Sequence, residues 1–348
     1  MNDRKSVADY YLQLIDERRR QIESNPEQAE WRHRTLMKHV TAQKHLRAFA
    51  PDACWEDVSQ EWLYAMECHL IAKGYSNSYV KRLLRDVKAF LNWAYNMGYS
   101  SNTSFRSYHV KCKDETCKMI SGNKFALSLE ELKILQDLDL RKHGKLQRTR
   151  DMFLFCCYTG LRFSDAMKLR WCDIGCNSIK IVTQKTNQLL EIPITKQMRR
   201  ILECYSKEED SGMVFPRTTN MSYNTQLQTV GRIAGFDEDW VKVRQCGNNI
   251  TTIHMKKYQC LSSHVARRTF STIALQQGMP TEVIMSITGH TTAKMLQGYM
   301  KINPGMKRKY MERFAIDTDL ESLAHQIMQL PEDKMAQLFT MIFSSRKA

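Results

Sequence analysis

Between Ser78 and Met97, the residues Val80, Leu83, Leu84, Val87, Phe90, Leu91 and Ala94 recur at the i, i+3, i+4, i+7 spacing of one helical face. An apolar stripe of that length has to be covered, so neighbouring segments must supply helices to pack on it. The flanking sequence does so. Leu36, Val40, Leu46 and Phe49 share a helical period within Arg34 to Phe49. Val58, Trp62, Met66 and Leu70 do the same within Trp55 to Lys73, and Gly74 is a stop signal. A helical domain over residues 31–110 is expected, preceded by a polar helical lead-in over 1–30 whose cluster Arg18-Arg19-Arg20 reads as a solvated face. Lys81, Arg85 and Lys88 form a basic stripe beside the apolar one. It can lie along phosphates, and an ordinary solvated face is the plain alternative.

The chain then changes. Residues 111–124 have charges and Gly122 but little periodicity, and read as a linker. Ser128 followed by Glu131 has the form of a capping box opening a new helix, so a second domain is expected over 125–310. Within it a helix from about Arg150 to Tyr158 runs into Thr159-Gly160-Leu161-Arg162, and another starts near Ser164. Ile179, Ile181 and Thr183, then Leu190, Ile192 and Ile194, alternate as strands do, with Lys185 to Gln188 as the turn between them. Helical segments are expected at Lys196 to Tyr205 and Asn224 to Ala234, and a second short hairpin within Gln245 to Gln259. The expected class is mainly α with a small β-sheet. A tail, 311–348, carries an amphipathic segment from Pro331 to Phe343 that packs on its own domain or docks on a neighbour.

At 348 residues the chain suits about two domains of roughly 100–200 residues each. A net charge of +15 and a pI near 9.3 favour a polyanionic partner, nucleic acid before an anionic membrane surface. A mean hydropathy of -0.49, with no long apolar run and no apolar core at the N-terminus, argues against a membrane span or signal peptide. A cytoplasmic protein is expected. The 11 cysteines lack the paired spacing of a zinc site and read as free thiols, with Cys156 and Cys157 in the core. No metal and no cofactor are expected.

The chemistry concentrates in Ser263 to Tyr299. His264 and Arg267 are three apart on an expected helix and project from one face. Gly278 and Pro280 end that helix, a short one follows from Thr281 to about Ile287, and Gly289-His290 makes a turn. Thr291 or Thr292 can cap a helix carrying Tyr299. Taken singly, each residue has an ordinary reading as core, turn or surface. Together with Arg162 and Lys185 they suit a phosphodiester. Arginine pairs bidentately with phosphate at any relevant pH, and fixed donors can stabilise phosphoryl transfer by position and charge. A tyrosine of ordinary pKa ~10 needs a base or nearby cations before it can attack.

These residues carry a resemblance. Thr159-Gly160-Leu161-Arg162 with Ser164-Asp165, Thr183-Gln184-Lys185-Thr186 before Ile192-Pro193-Ile194, His264-Val265-Ala266-Arg267, and Gly289-His290 with Tyr299 nine residues beyond resemble the tyrosine recombinases, the phage integrases and Xer-type enzymes. The match runs from about Ser128 to Ile302. Arg34 to Ser107 is more loosely similar to the SAM-like core-binding domain that precedes it in the family. Ala266 and Thr288 stand where the family usually has an aliphatic leucine, and both read as packing positions.

The resemblance implies a site-specific DNA recombinase. Arg162, Arg267 and His290 would hold the scissile phosphate, and Tyr299 would attack it to leave a 3′-phosphotyrosine and a free 5′-hydroxyl. Lys185 would protonate the leaving oxygen, His264 would assist the proton transfer, and Asp165 would support the site from behind. Tyr310, twenty residues past His290, is the weaker candidate nucleophile. The implied partners are double-stranded DNA sites, three further copies in a tetramer on DNA (the free protein being a monomer or weak oligomer), and an accessory DNA-bending protein, with a nucleoid location and no membrane. The tail helix would reach a neighbouring protomer. The short stretch before Arg34 favours an invertase, a resolvase or a transposon integrase. The alternatives are a DNA-binding regulator that has lost catalysis, which the six filled positions oppose, and a topoisomerase of similar tyrosine chemistry.

Overall fold

The computed structural model describes residues 5–113, 125–205, 212–292, 327–331 and 333–337. The chain divides into two compact units, Met1–Asp151 with Thr218–Val265, and Met152–Arg217 with Ala266–Ala348. No helix among the described residues is long and apolar enough to cross a membrane.

The first unit opens with α1 (Val7–Ser24), α2 (His33–Phe49), α3 (Gln60–Ala72) and α4 (Asn77–Asn96). The stripe on α4 is the centre of its core, with Val80, Leu84, Val87, Phe90 and Ala94 fully buried. The expected lead-in is corrected here. Val7, Tyr11, Leu14 and Ile15 of α1 belong to the same buried cluster, and the Tyr11 ring stacks on Phe90 at 4.0 Å. Arg18 is likewise buried, its guanidinium 2.6 Å from Glu30 and over the Trp31 ring, so only Arg19 and Arg20 of that cluster are exposed.

The start of the expected linker is fixed rather than loose. The buried Glu67 carboxylate on α3 accepts from the amides of Lys111 (2.9 Å) and Cys112 (2.5 Å) and from the Tyr108 hydroxyl. Asn77 Nδ2 donates to Lys113 O at 2.7 Å. Residues 114–124 lie outside the described residues.

The same unit contains α5 (Leu129–Asp137), opened by the Ser128–Glu131 capping box, then the first part of α6 (Gly144–Thr159), and α9 (Asn220–Ile233). It also holds an antiparallel hairpin of β3 (Asp239–Cys246) and β4 (Asn249–Lys256). That hairpin is longer than expected and begins before Gln245. It accounts for the packing division falling elsewhere than the linker. At its tip Asn77 Oδ1 accepts from Gly247 N at 2.7 Å while Asn77 Nδ2 donates to Gly247 O at 2.8 Å. Arg244 Nη2 donates to Gly74 O at 2.5 Å. A side-chain amide here completes the pair of hydrogen bonds that a backbone neighbour would supply.

The second unit holds the end of α6, α7 (Phe163–Ala166), β1 (Ser178–Val182), β2 (Leu189–Pro193) and α8 (Lys196–Glu203). It also has most of α10 (Ser263–Gln276) and all of α11 (Thr281–Thr288). β1 and β2 pair antiparallel from Ser178↔Pro193 to Val182↔Leu189. Ile179, Ile181, Leu190 and Ile192 are buried on one face, as the alternation requires. Cys156 and Cys157 are buried in α6, as expected. Of the expected tail segment, Pro331 is not helical, residues 333–337 are helical, and 332 and 338–343 lie outside the described residues.

Candidate active site

Arg162 occupies the N-cap of α7, just past the left-handed turn at Gly160 (φ +68) that ends α6. Space as well as conformation requires glycine at 160. A Cβ there would stand 2.7 Å from Phe270 Cδ1 and 2.8 Å from Thr288 Cγ2, so α10 and α11 both close onto this turn. Thr159, fully buried, ties the turn internally: its hydroxyl donates to Phe155 O (2.8 Å) and accepts from Leu161 N (3.3 Å).

Three contacts draw the expected site residues together within the second unit. First, Arg267, 1% exposed on α10, donates Nη1 to Gly160 O at 2.9 Å, two residues before Arg162. Second, Asp165 on α7, buried at 2% exposure, accepts Gln184 N on Oδ1 at 2.9 Å, and Gln184 is the residue before Lys185. Third, the Gly289-His290 turn abuts β2, since a Cβ at Gly289 would lie 3.3 Å from both Gln188 Oε1 and Leu190 Cδ2. His290 follows this turn, 6% exposed.

Lys185 itself is exposed in the β1–β2 turn. That turn is well held. Thr183 N donates to Gln188 O (2.9 Å), Asn187 N to Thr183 O (3.0 Å) and Gln188 N to Thr183 Oγ1 (3.1 Å). Asn187 takes a left-handed φ of 51, which its short polar side chain tolerates better than most. A lysine on a rigid turn moves its ammonium only through its own side-chain torsions.

The charge arrangement at Arg162 is informative. Arg162 Nη1 and Asp165 Oδ2 stand 3.8 Å apart, too far to hydrogen-bond. Neither of these buried atoms has a hydrogen-bond partner among the described residues. Buried polar atoms are nearly always paired. A guanidinium nitrogen can pair with an anionic oxygen, and Asp165, 3.8 Å from it, accepts the amide of the residue before Lys185.

His264 is exposed on the first turn of α10, one helical turn before Arg267. Tyr299 and Tyr310 lie outside the described residues, as do the residues after Thr292 that Thr291 or Thr292 would cap. The basic stripe on α4 divides. Arg85 is exposed, its guanidinium 3.3 Å from Asp86, and Lys81 is half-buried. The Lys88 ammonium donates to Tyr108 O (2.8 Å) and Arg106 O (3.2 Å), and burial pulls its pKa down. Lys88 thus fastens the turn that follows α4. A basic residue three after Arg85 gave no hint of that.

Comparison with known proteins places the chain. The phage integrase family pattern matches residues 127–306, more than half of the chain, and the phage integrase SAM-like domain matches residues 6–111. The chain is 21% identical over 267 residues to a "Tyrosine recombinase XerC-like" protein of Caldanaerobacter subterraneus subsp. tengcongensis, covering 70% of this chain and 67% of that one. It is 22% identical over 284 residues to "Tyrosine recombinase XerC" of Roseiflexus sp., covering 80% and 86%. Its fold is similar to that of the Tn1549 transposon integrase in complex with transposon right end DNA, with a TM-score of 0.62, 15% identity and coverage of 89% and 100%. It is similar too to a lambda integrase tetramer bound to a Holliday junction, with a TM-score of 0.61, 15% identity and coverage of 83% and 77%. With two family patterns matched in the order SAM-like domain then integrase domain, and the Arg162, Lys185 and Arg267–His290 segments packed together, the chain belongs to the phage integrase family of tyrosine recombinases.

Proposed function

We propose that this recombinase cuts and rejoins DNA through a covalent link between Tyr299 and a 3′-phosphate. Arg162, Arg267 and His290 hold the non-bridging oxygens of the scissile phosphate. The Tyr299 oxygen attacks phosphorus as the bond to the 5′-oxygen breaks. His264 assists removal of the tyrosine proton, and Lys185 supplies a proton to the leaving 5′-oxygen. The free 5′-hydroxyl of a partner strand reverses the sequence, so the phosphodiester is exchanged without an outside energy source. The observation that most supports this reading is the buried Arg162 nitrogen, without a hydrogen-bond partner among the described residues, on a turn to which Arg267 is bonded.

Strand exchange needs two sites, and the lambda integrase relative is a tetramer bound to a Holliday junction. Four copies of this chain on two sites, working on chromosomal or mobile DNA in the cytoplasm, is the corresponding assembly. Lys81 and Arg85 are its phosphate contacts from α4.

The test uses a duplex nicked close to the cleavage point, so that the short 5′-hydroxyl fragment diffuses away and the adduct accumulates. The native protein should form a protein–DNA adduct stable in denaturant, and Tyr299→Phe should bind the duplex but form none. An adduct in the Phe variant would refute the assignment. Joining between two separate duplexes distinguishes recombination from topoisomerase-like relaxation, which needs one duplex only.

A further inference from the structure

Thr288 closes α11 fully buried, at the position where the family resemblance leads one to expect an aliphatic leucine. Its methyl does pack, with Cγ2 against the Gly160 turn that leads to Arg162. Its hydroxyl does something a leucine cannot. Oγ1 lies 2.5 Å from Ile284 O and 2.7 Å from His290 Nδ1. The close i, i+2 contact with His290 is made possible by Gly289, whose left-handed backbone (φ +65) turns the chain back on itself.

The shorter contact, to Ile284 O, and a count of hydrogens together favour one direction for both bonds. A carbonyl oxygen only accepts, and a threonine hydroxyl has one hydrogen to give. That hydrogen goes to Ile284 O. The contact with His290 then requires the histidine to donate, so Nδ1 carries a hydrogen.

We infer that Thr288 is a positioning residue that holds His290 in its Nδ1–H tautomer and makes Nε2 the nitrogen that gains and loses a proton. This inference rests on the reading that His290 acts on the scissile phosphate. In the neutral ring, Nε2 then carries the lone pair and accepts a proton. In the charged ring, Nε2–H donates to an anionic oxygen while Nδ1–H stays on Thr288. The opposite neutral tautomer would turn the Nδ1 lone pair towards Oγ1. The hydroxyl would have to donate to it and abandon Ile284 O inside a buried helix end. One side chain therefore braces the Arg162 turn through its methyl and sets the proton inventory of His290 through its oxygen.

The experiment reads the tautomer directly. Protein labelled with ¹⁵N-histidine is examined by two-bond ¹H–¹⁵N correlation above the pKa of the ring, with His290 assigned by its loss in His290→Gln. The native protein should show a protonated Nδ1 and an unprotonated Nε2 at His290. Thr288→Val, which keeps the shape and removes the acceptor, should mix or reverse the tautomers. It should also slow adduct formation on the nicked duplex by on the order of ten-fold, the scale of losing a partner that orients a histidine, and move its pH profile. Thr288→Ser should restore both.

A native His290 with hydrogen on Nε2 alone would overturn the inference, and that measurement needs no variant to fold. So would a folded Thr288→Val protein with unchanged tautomer and pH profile. The underlying site reading fails separately: if His290→Gln forms the adduct at the native rate, His290 does not act on the phosphate, whatever its tautomer.

Discussion

The two hairpins share an architecture and differ in what makes them rigid. β1–β2 buries a complete face, with Ile179, Ile181, Leu190 and Ile192 at most 6% exposed, and its turn is closed by hydrogen bonds around Thr183. β3–β4 has longer pairing, yet along both strands only Gln245 is buried. It is fixed at its tip, where Asn77, Gly74 and Ile71 meet Gly247, Arg244 and Cys246. A face-anchored hairpin holds its turn still, which suits the proposed task of presenting Lys185 to a reacting atom. The other end of β3–β4 is held as well, by Trp240 against Phe125 at 5.1 Å and by Lys257 N donating to Glu238 O at 2.9 Å, so this hairpin serves as a tie between two anchored ends.

The largest effect should therefore come from the face-anchored turn. Lys185→Ala is expected to lower the single-turnover cleavage rate by roughly 10²–10⁴-fold, the range of a general acid, with the fold intact. Replacing the bridging 5′-oxygen by sulfur makes the leaving group a thiolate that departs without a proton. If the lysine is the acid, that substrate should be cleaved by Lys185→Ala at nearly the native rate. A variant equally slow on both substrates would mean that Lys185 holds charge but transfers no proton.

The same contrast explains what could be read from the sequence. β1–β2 was legible because a one-sided sheet imposes strict alternation, and the α4 stripe and the Ser128–Glu131 capping box carry equally local signals. β3 alternates only over Val241 to Gln245, with Lys242 and Arg244 exposed between the half-buried Val241 and Val243 and the buried Gln245, and β4 is exposed along nearly all its length, so the pattern was too short to mark two strands. The apolar residues of α1 were masked by the arginines beside them, although Val7, Tyr11, Leu14 and Ile15 have helical spacing. The spacing proposes Arg162, Lys185, Arg267 and His290 as site residues, and their segments do come together. What escaped was the set of side chains whose roles depend on long-range partners. Thr288 read as packing, Lys88 as a phosphate contact, and Asn77 as nothing in particular. Tyr299, outside the described residues, still rests on its spacing from His290.

An intermediate effect should follow from cutting the tip of β3–β4. Asn77→Ala removes both bonds to Gly247 and the bond to Lys113; Gly247 is half-buried and Lys113 exposed, so water replaces part of what is lost and the cost should be about 1 kcal/mol or less for each bond. Amide hydrogen exchange across 239–256 and 111–113 should speed up, while cleavage at saturating DNA keeps its native rate. If cleavage slowed and exchange did not, the tip would be part of the chemistry and the comparison of the hairpins would fail.

The smallest effect belongs to the other end of that hairpin, where Asp239 pairs across the strands with Lys256, Nζ to Oδ1 2.9 Å. The hydrogen bond and the charge of Lys256 hold the Asp239 carboxyl below its ordinary 3.8, and the same contacts raise Lys256 above 10.5. A depressed carboxylate stabilises the fold fully above 3.8 and ceases to as pH falls through its lower folded value. A raised ammonium does so fully below 10.5 and ceases as pH rises through its higher one. The pair should thus add its small contribution evenly between those limits and lose it beyond either. A ¹³C titration of the Asp239 carboxyl should give a midpoint below 3.8, moving back towards 3.8 in Lys256→Ala. Because both groups are exposed, the shift should shrink in 1 M salt, where charges are screened beyond about 3 Å. The tip bonds are neutral at Asn77, so exchange at Gly247 should stay unchanged in the same salt. A tip that loosened with salt would place the anchor of β3–β4 in its charges and not in Asn77.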